Sequence, residues 1–99
     1  MIDLRWIVVY DITDDNLRSK VSERLKDYGL DRIQYSAFHG ELQRHALASL
    51  STDMKRFLNE GEETDSVLIF PLCDSCFKGR IEVGADRELE SNVGKVSVF

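Results

Sequence analysis

No apolar run in this 99-residue chain approaches the roughly 20 residues that a membrane-spanning helix needs. No basic segment followed by a long apolar stretch opens it, so a secretory signal is not expected. Cysteine is scarce, with only Cys73 and Cys76. Few cysteines and no export signal point to free thiols in a reducing cytosol, and so to a cytoplasmic protein with no membrane role. A basic balance is also missing. Thirteen Lys and Arg face eighteen Asp and Glu, for a net charge of −5 and a pI near 4.9. That argues against a simple nucleic-acid binder, but leaves room for a local basic strip or a metal-assisted site. There is no linker, repeat or low-complexity segment. There is also no glycine-rich phosphate loop, no Ser–His–Asp arrangement and no HExxH motif.

What is present fits one domain over residues 1–99. A chain of this size buries only roughly 60–70% of its unfolded surface, so self-association would support its modest core. Its hydrophobic content of 42% is ordinary and its charged content of 31% somewhat high. The charges are segregated. Acids crowd Glu60 to Asp65 and recur at Glu82, Asp86, Glu88 and Glu90, whereas Arg18, Lys20, Arg24, Lys26 and Arg32 gather earlier.

Leu4 to Asp11 predicts a strand with Trp6, Val8 and Tyr10 on one face, and Ile7, Val9 and Asp11 on the other. Thr13 to Tyr28 predicts a helix with Leu17, Val21, Leu25 and Tyr28 as its apolar stripe. Thr13 is its expected N-cap, Asp14 and Asp15 suit its first turn, and Gly29 follows its end. Residues 32–41 read as extended, either one strand or two with a bend near Tyr35. Leu42 to Asn59 predicts a second amphipathic helix, carrying Leu42, Ala46, Leu47, Leu50, Met54, Phe57 and Leu58 and stopped by Gly61. Ser66 to Leu72 is a strand apolar on both faces, with Pro71 marking an edge or an end. Arg80 to Val83 and Lys95 to Phe99 predict short strands. The pattern is a small α+β or α/β sandwich. Two helices can cover one sheet face. Nothing then remains for the other, which points to a second copy packing sheet against sheet.

Asp11 is the residue of most chemical interest. A carboxylate at the C-terminal end of a rigid central strand sits where ligands of such sheets often bind. One carboxylate is too little for Mg²⁺. Two, related by a dimer axis, would bracket one hard cation. On spacing alone, the competing reading of a strand-end Asp bonded to a nearby backbone amide ranks first. Cys73-Asp74-Ser75-Cys76 supplies half of a zinc site, and lies too late in the chain for a thioredoxin-like motif. Semi-buried thiols in a turn rank ahead of metal binding there. His39 and His45 read as polar surface or interface residues. Arg18, Lys20 and Arg32 suit phosphate, with a solvated helix face as the alternative.

The runs VVYDITDDNLRSKV and LKDYGLDRIQYSAFHGEL, joined by DSVLIFPLC, resemble the CRISPR-associated adaptation nucleases numbered second, the Cas2 family. The likeness extends to about Cys76. It implies a ferredoxin-like fold, with an antiparallel sheet, two helices on one face, a homodimer through the other, and a C-terminal strand near 95–99 pairing across the dimer. It implies that Asp11 is the catalytic metal ligand, reversing the ranking above. Tyr10, Arg18, Lys20, Arg32, Ser36 and Phe38 would lie around the site or the nucleic-acid surface. The implied activity is that of a prokaryotic, Mg²⁺- or Mn²⁺-dependent endoribonuclease or endonuclease acting on RNA or double-stranded DNA during spacer acquisition. The alternative is a non-catalytic scaffold that holds DNA and bridges dimers of the CRISPR-associated integrase. A toxin-like messenger-RNA nuclease is a third possibility.

Overall fold

The structure is a computed structural model that describes residues 4–84 and 96–97. Its elements run β1 (Leu4–Asp11), α1 (Asp15–Asp27), β2 (Asp31–Gln34), β3 (Ala37–Leu42), α2 (Arg44–Leu58), β4 (Ser66–Leu72), α3 (Asp74–Lys78), β5 (Ile81–Glu82) and β6 (Val96–Ser97). The main sheet is antiparallel in the order β2-β3-β1-β4. With helices after β1 and β3, this is the ferredoxin-like arrangement.

Strand parity builds the core. Trp6, Val8 and Tyr10 lie opposite Gly40 and Phe38 on β3, and opposite Pro71, Ile69 and Val67 on β4. Tyr10 has no β3 partner in this register; its N–H instead donates to the Ser36 carbonyl at 3.0 Å. Leu17, Val21 and Leu25 of α1 and Leu50 and Met54 of α2 close over this face, burying a continuous cluster with Ile12, Leu30 and Leu42. Gly40 belongs here for a steric reason. A Cβ at that position would meet Leu30 Cδ2 at 2.6 Å and Leu30 Cα at 3.2 Å. Pro71 is accommodated because β4 is an edge strand.

Helix ends depart from the predicted ones for local reasons. The cap of α1 is Asp14, whose carboxylate accepts from Leu17 N at 2.8 Å. Thr13 is drawn away instead, donating its N–H to Asp65 Oδ1 at 3.0 Å. At the other end Gly29, at φ +87°, donates to Lys26 O while Leu30 N donates to Leu25 O. This Schellman closure needs the left-handed conformation that glycine adopts freely. Leu42 ends β3 and does not open α2, whose N-cap Gln43 makes no side-chain capping bond. Residues 32–41 resolve into two strands joined at Tyr35 and Ser36, with a shift of register between Arg32 and Gln34.

The opposite sheet face is not left bare, contrary to expectation. Helix α3, which the sequence reading did not contain, lays Phe77 against it. The Phe77 ring stacks on His39 at 4.6 Å and 3°, and Arg5 and Arg80 lie 4.1 and 4.0 Å from its centre. His39 is therefore buried and not a surface residue. Beyond α3 the face stays open, with Leu68 at 52% and Phe70 at 49% exposure beside Ile7 and Val9. β6 pairs in parallel with β5 of the same chain, while residues 95, 98 and 99 of the predicted terminal strand lie outside the described residues. No helix among the described residues is long and apolar enough to cross a membrane.

Candidate functional site

Asp11 closes β1 opposite Ser66 of β4, exposed, on the same sheet face as Ile7 and Val9. The chain beyond it is held firmly. Asp65 accepts from Glu62 N at 2.9 Å and from Thr13 N at 3.0 Å, which fastens the segment after Asp11 to the start of β4. The Glu62 N–H foremost, then that of Thr13, hold the Asp65 carboxyl below the usual carboxylate range, so it stays ionised in this structural role. Among the described residues no three His, Cys, Asp or Glu side chains gather where they would enclose a metal ion. In a single chain, Asp11 is a lone exposed carboxylate at the strand tip.

On the reverse side of the same tip lies a basic cleft of about 210 Å³, lined by Tyr10, Arg18, Ser19, Ser22, Arg32 and Tyr35. Its rim is organised by the β2–β3 turn. The Tyr35 carbonyl accepts from Arg32 Nη1 at 3.1 Å and, at 3.5 Å, from the Tyr10 hydroxyl. Arg32 Nη2 donates to Ser22 Oγ at 2.9 Å. Arg18 Nη1 donates to the Ile12 carbonyl at 3.0 Å; its guanidinium also pairs with Asp15 and stands 5.8 Å from the Tyr35 ring centre. Two guanidinium groups are thus held near the sheet by neutral partners, with Asp15 as the charged exception. Burial, foremost, raises the Tyr10 hydroxyl above the usual phenol range, against the lowering pull of Arg32 and Arg18. Tyr10 therefore stays protonated and acts as a donor.

The structure separates the sequence-derived candidates. Tyr10, Arg18 and Arg32 meet in the cleft, and Ser36 joins it through its backbone by tying the turn to β1. Lys20 does not line the cleft; it pairs with Glu60 at 3.6 Å and borders a separate groove with Glu23, Arg24, Asp27 and Phe57. Phe38 is corrected as a contact residue. It is 0% exposed, its ring 6.2 Å from that of Tyr10 and 5.2 Å from the Arg32 guanidinium, so it supports the cleft from beneath. Tyr35, Ser19 and Ser22 were missed. Tyr35 is 70% exposed because a two-residue turn projects it, and the bend left open near it was the available signal.

The chain as a whole is similar to known proteins. Residues 4–80 match the family model described as CRISPR associated protein Cas2. The chain is 45% identical over 82 residues to a protein of Korarchaeum cryptofilum named CRISPR-associated endoribonuclease Cas2, covering 83% of this chain and 86% of that one. A Thermoproteus tenax protein named a CRISPR-associated endonuclease Cas1/endonuclease Cas2 fusion is 46% identical over 50 residues, which is 50% of this chain and 19% of that one. A crystal structure described as that of Cas2 superposes with a TM-score of 0.61 at 37% identity, covering 71% of this chain and 75% of the other. The chain belongs to the CRISPR associated protein Cas2 family.

Proposed function

We propose that the chain works as a homodimeric, Mg²⁺- or Mn²⁺-dependent phosphodiesterase that cuts RNA or DNA in CRISPR spacer acquisition, with Asp11 of two copies sharing one ion. The observation that carries this reading is the position of Asp11, an exposed carboxylate at the tip of the central strand, in line with the open apolar face. Support also comes from the Korarchaeum relative, which is named an endoribonuclease.

The donor chemistry fits the ion. Carboxylate oxygen is the ligand that hard divalent cations take, and a second copy is required to supply the second carboxylate. Such an ion, when bound, polarises a phosphodiester and acidifies a water. The chain's own residues do the rest. Ile7, Val9, Leu68 and Phe70 offer the apolar surface that brings the copies together. The clamp through Asp65 and Thr13 holds the Asp11 backbone still, so little ordering is left to the moment of binding. Arg18 and Arg32 hold flanking phosphates, and the protonated Tyr10 hydroxyl donates beside them.

The test is Asp11→Ala. Divalent-ion-dependent cleavage is expected to vanish while the dimer and its melting profile persist, since the side chain packs into no core. Cleavage retained by rigorously purified variant would place the activity elsewhere. The Thermoproteus fusion favours a second reading, in which the dimer positions DNA for the integrase. Under that reading Asp11→Ala still supports spacer insertion; under the first, insertion that needs cleavage is lost.

A further inference from the structure

The Cys73-Asp74-Ser75-Cys76 turn is the chemically reactive feature that the nuclease reading leaves unused. Cys73 caps α3 and Cys76 lies in its first turn, and α3 is fixed. Phe77 is 2% exposed against the sheet, and Asp74 accepts from Arg5 at 3.3 Å and pairs with Lys78 at 3.1 Å. The two thiols nevertheless stay exposed, not semi-buried as the sequence suggested. A rigid base carrying two accessible sulfurs three positions apart is an arrangement suited to reversible chemistry.

The sulfurs are differentiated by their surroundings. Cys73 Sγ accepts the Cys76 N–H at 3.3 Å and stands 3.3 Å from Ser75 Oγ, so polar groups gather on one sulfur. Hydrogen bonding from the Cys76 thiol foremost, then from Ser75, brings Cys73 down to about 7. The Cys73 sulfur in turn pushes Cys76 up. The donors around it make Cys73 the more readily ionised of the two thiols. Two sulfurs fall short of the four ligands of a structural zinc site, and no further His, Cys, Asp or Glu cluster completes one among the described residues.

We propose that Cys73 and Cys76 form a thiol–disulfide exchange site for low-molecular-weight disulfides, with Cys73 attacking and Cys76 resolving. The inference is independent of the nuclease reading. The Cys73 thiolate attacks one sulfur of the small disulfide; that S–S bond breaks, and the departing thiolate takes up a proton. Cys76 then loses its proton and attacks Cys73 Sγ, closing the protein disulfide and expelling the second small thiolate, which is protonated in turn. Two protein S–H groups become one S–S bond, and the oxidant's S–S bond becomes two S–H groups.

The experiment incubates the full-length protein with oxidised glutathione and reads intact mass. The wild type is expected to lose two hydrogens per chain with no glutathione retained. Cys76→Ser is expected to stop at one glutathione attached to Cys73, while Cys73→Ser is modified far more slowly. Serine at either exposed position preserves the turn, so misfolding does not confound the series. Iodoacetamide at pH 7 should label Cys73 several-fold faster than Cys76, the thiolate excess being partly offset by the lower nucleophilicity of the more acidic thiol. Equal labelling of the two thiols, disulfides formed only between chains, or equal glutathione adducts on both serine variants would overturn the assignment.

Discussion

Asp53 joins the two long helices, accepting from the Tyr28 hydroxyl at 2.7 Å and from Arg24 Nη1 at 2.8 Å. The Tyr28 bond foremost, then Arg24, hold its carboxyl below the usual range. A carboxylate depressed in the folded state contributes stability above its unfolded pKa and loses it as pH falls through the folded value. Asp53→Ala should therefore lower stability at neutral pH by about 1–2 kcal/mol, allowing for the partial exposure of Arg24. The gap between wild type and variant should close under acid, in urea unfolding followed from pH 7 to below 3. Equal stability of the two at pH 7 would show the bond to be idle. The guanidinium groups of the cleft call for a different measurement. Replacing Arg18 and Arg32 together should weaken nucleic-acid binding and reduce the dependence of log affinity on log salt by about one to two, the loss of that many phosphate contacts. An unchanged slope in a fluorescence titration over salt would return both residues to a bland surface role.

At the scale of elements, α3 is the least anticipated part and the easiest to test. Phe77→Ala should cost about 3 kcal/mol in urea unfolding, as for other buried aromatic truncations, because Phe77 is the buried apolar contact of α3 with His39 and Arg5. A cost below about 1 kcal/mol would mean that α3 is held mainly by Asp74. The strands β1 and β4 were legible in the sequence to the residue, because dense runs of Ile, Val and aromatic residues end at Asp11 and begin after Asp65. Helix α1 was legible except at its start. Thr13 and Asp14 are both good caps, and only the distant Asp65 decides between them. Leu42 fits the helical stripe of α2 as well as the alternation of β3, so pairing with Leu4 settled it. A five-residue helix has too few positions to show a period, which hid α3 and the burial of His39.

For the whole molecule, the proposed function ties the open sheet face and the Asp11 tip to one assembly. The two-sided apolar character of β1 and β4 made the second face visible in the sequence, and the structure shows how much of it α3 leaves open. The cleft was legible in part. Arg18 and Arg32 could be singled out as bases, but their convergence on the Tyr35 carbonyl and the Ile12 carbonyl depends on a turn and a crossing that no local pattern encodes. Lys20 instead borders the groove with Glu23, Arg24, Asp27 and Phe57, and its pairing with Glu60, forty positions away, is likewise hidden from any local pattern.

The most direct test of the central claim is a titration of Mn²⁺ into the protein, with the mass of the assembly measured on the same sample. The account predicts a dimer that takes up one ion for every two chains, and an Asp11→Ala dimer that takes up none. One ion bound per isolated monomer, or undiminished binding in the Asp11→Ala dimer, would contradict it.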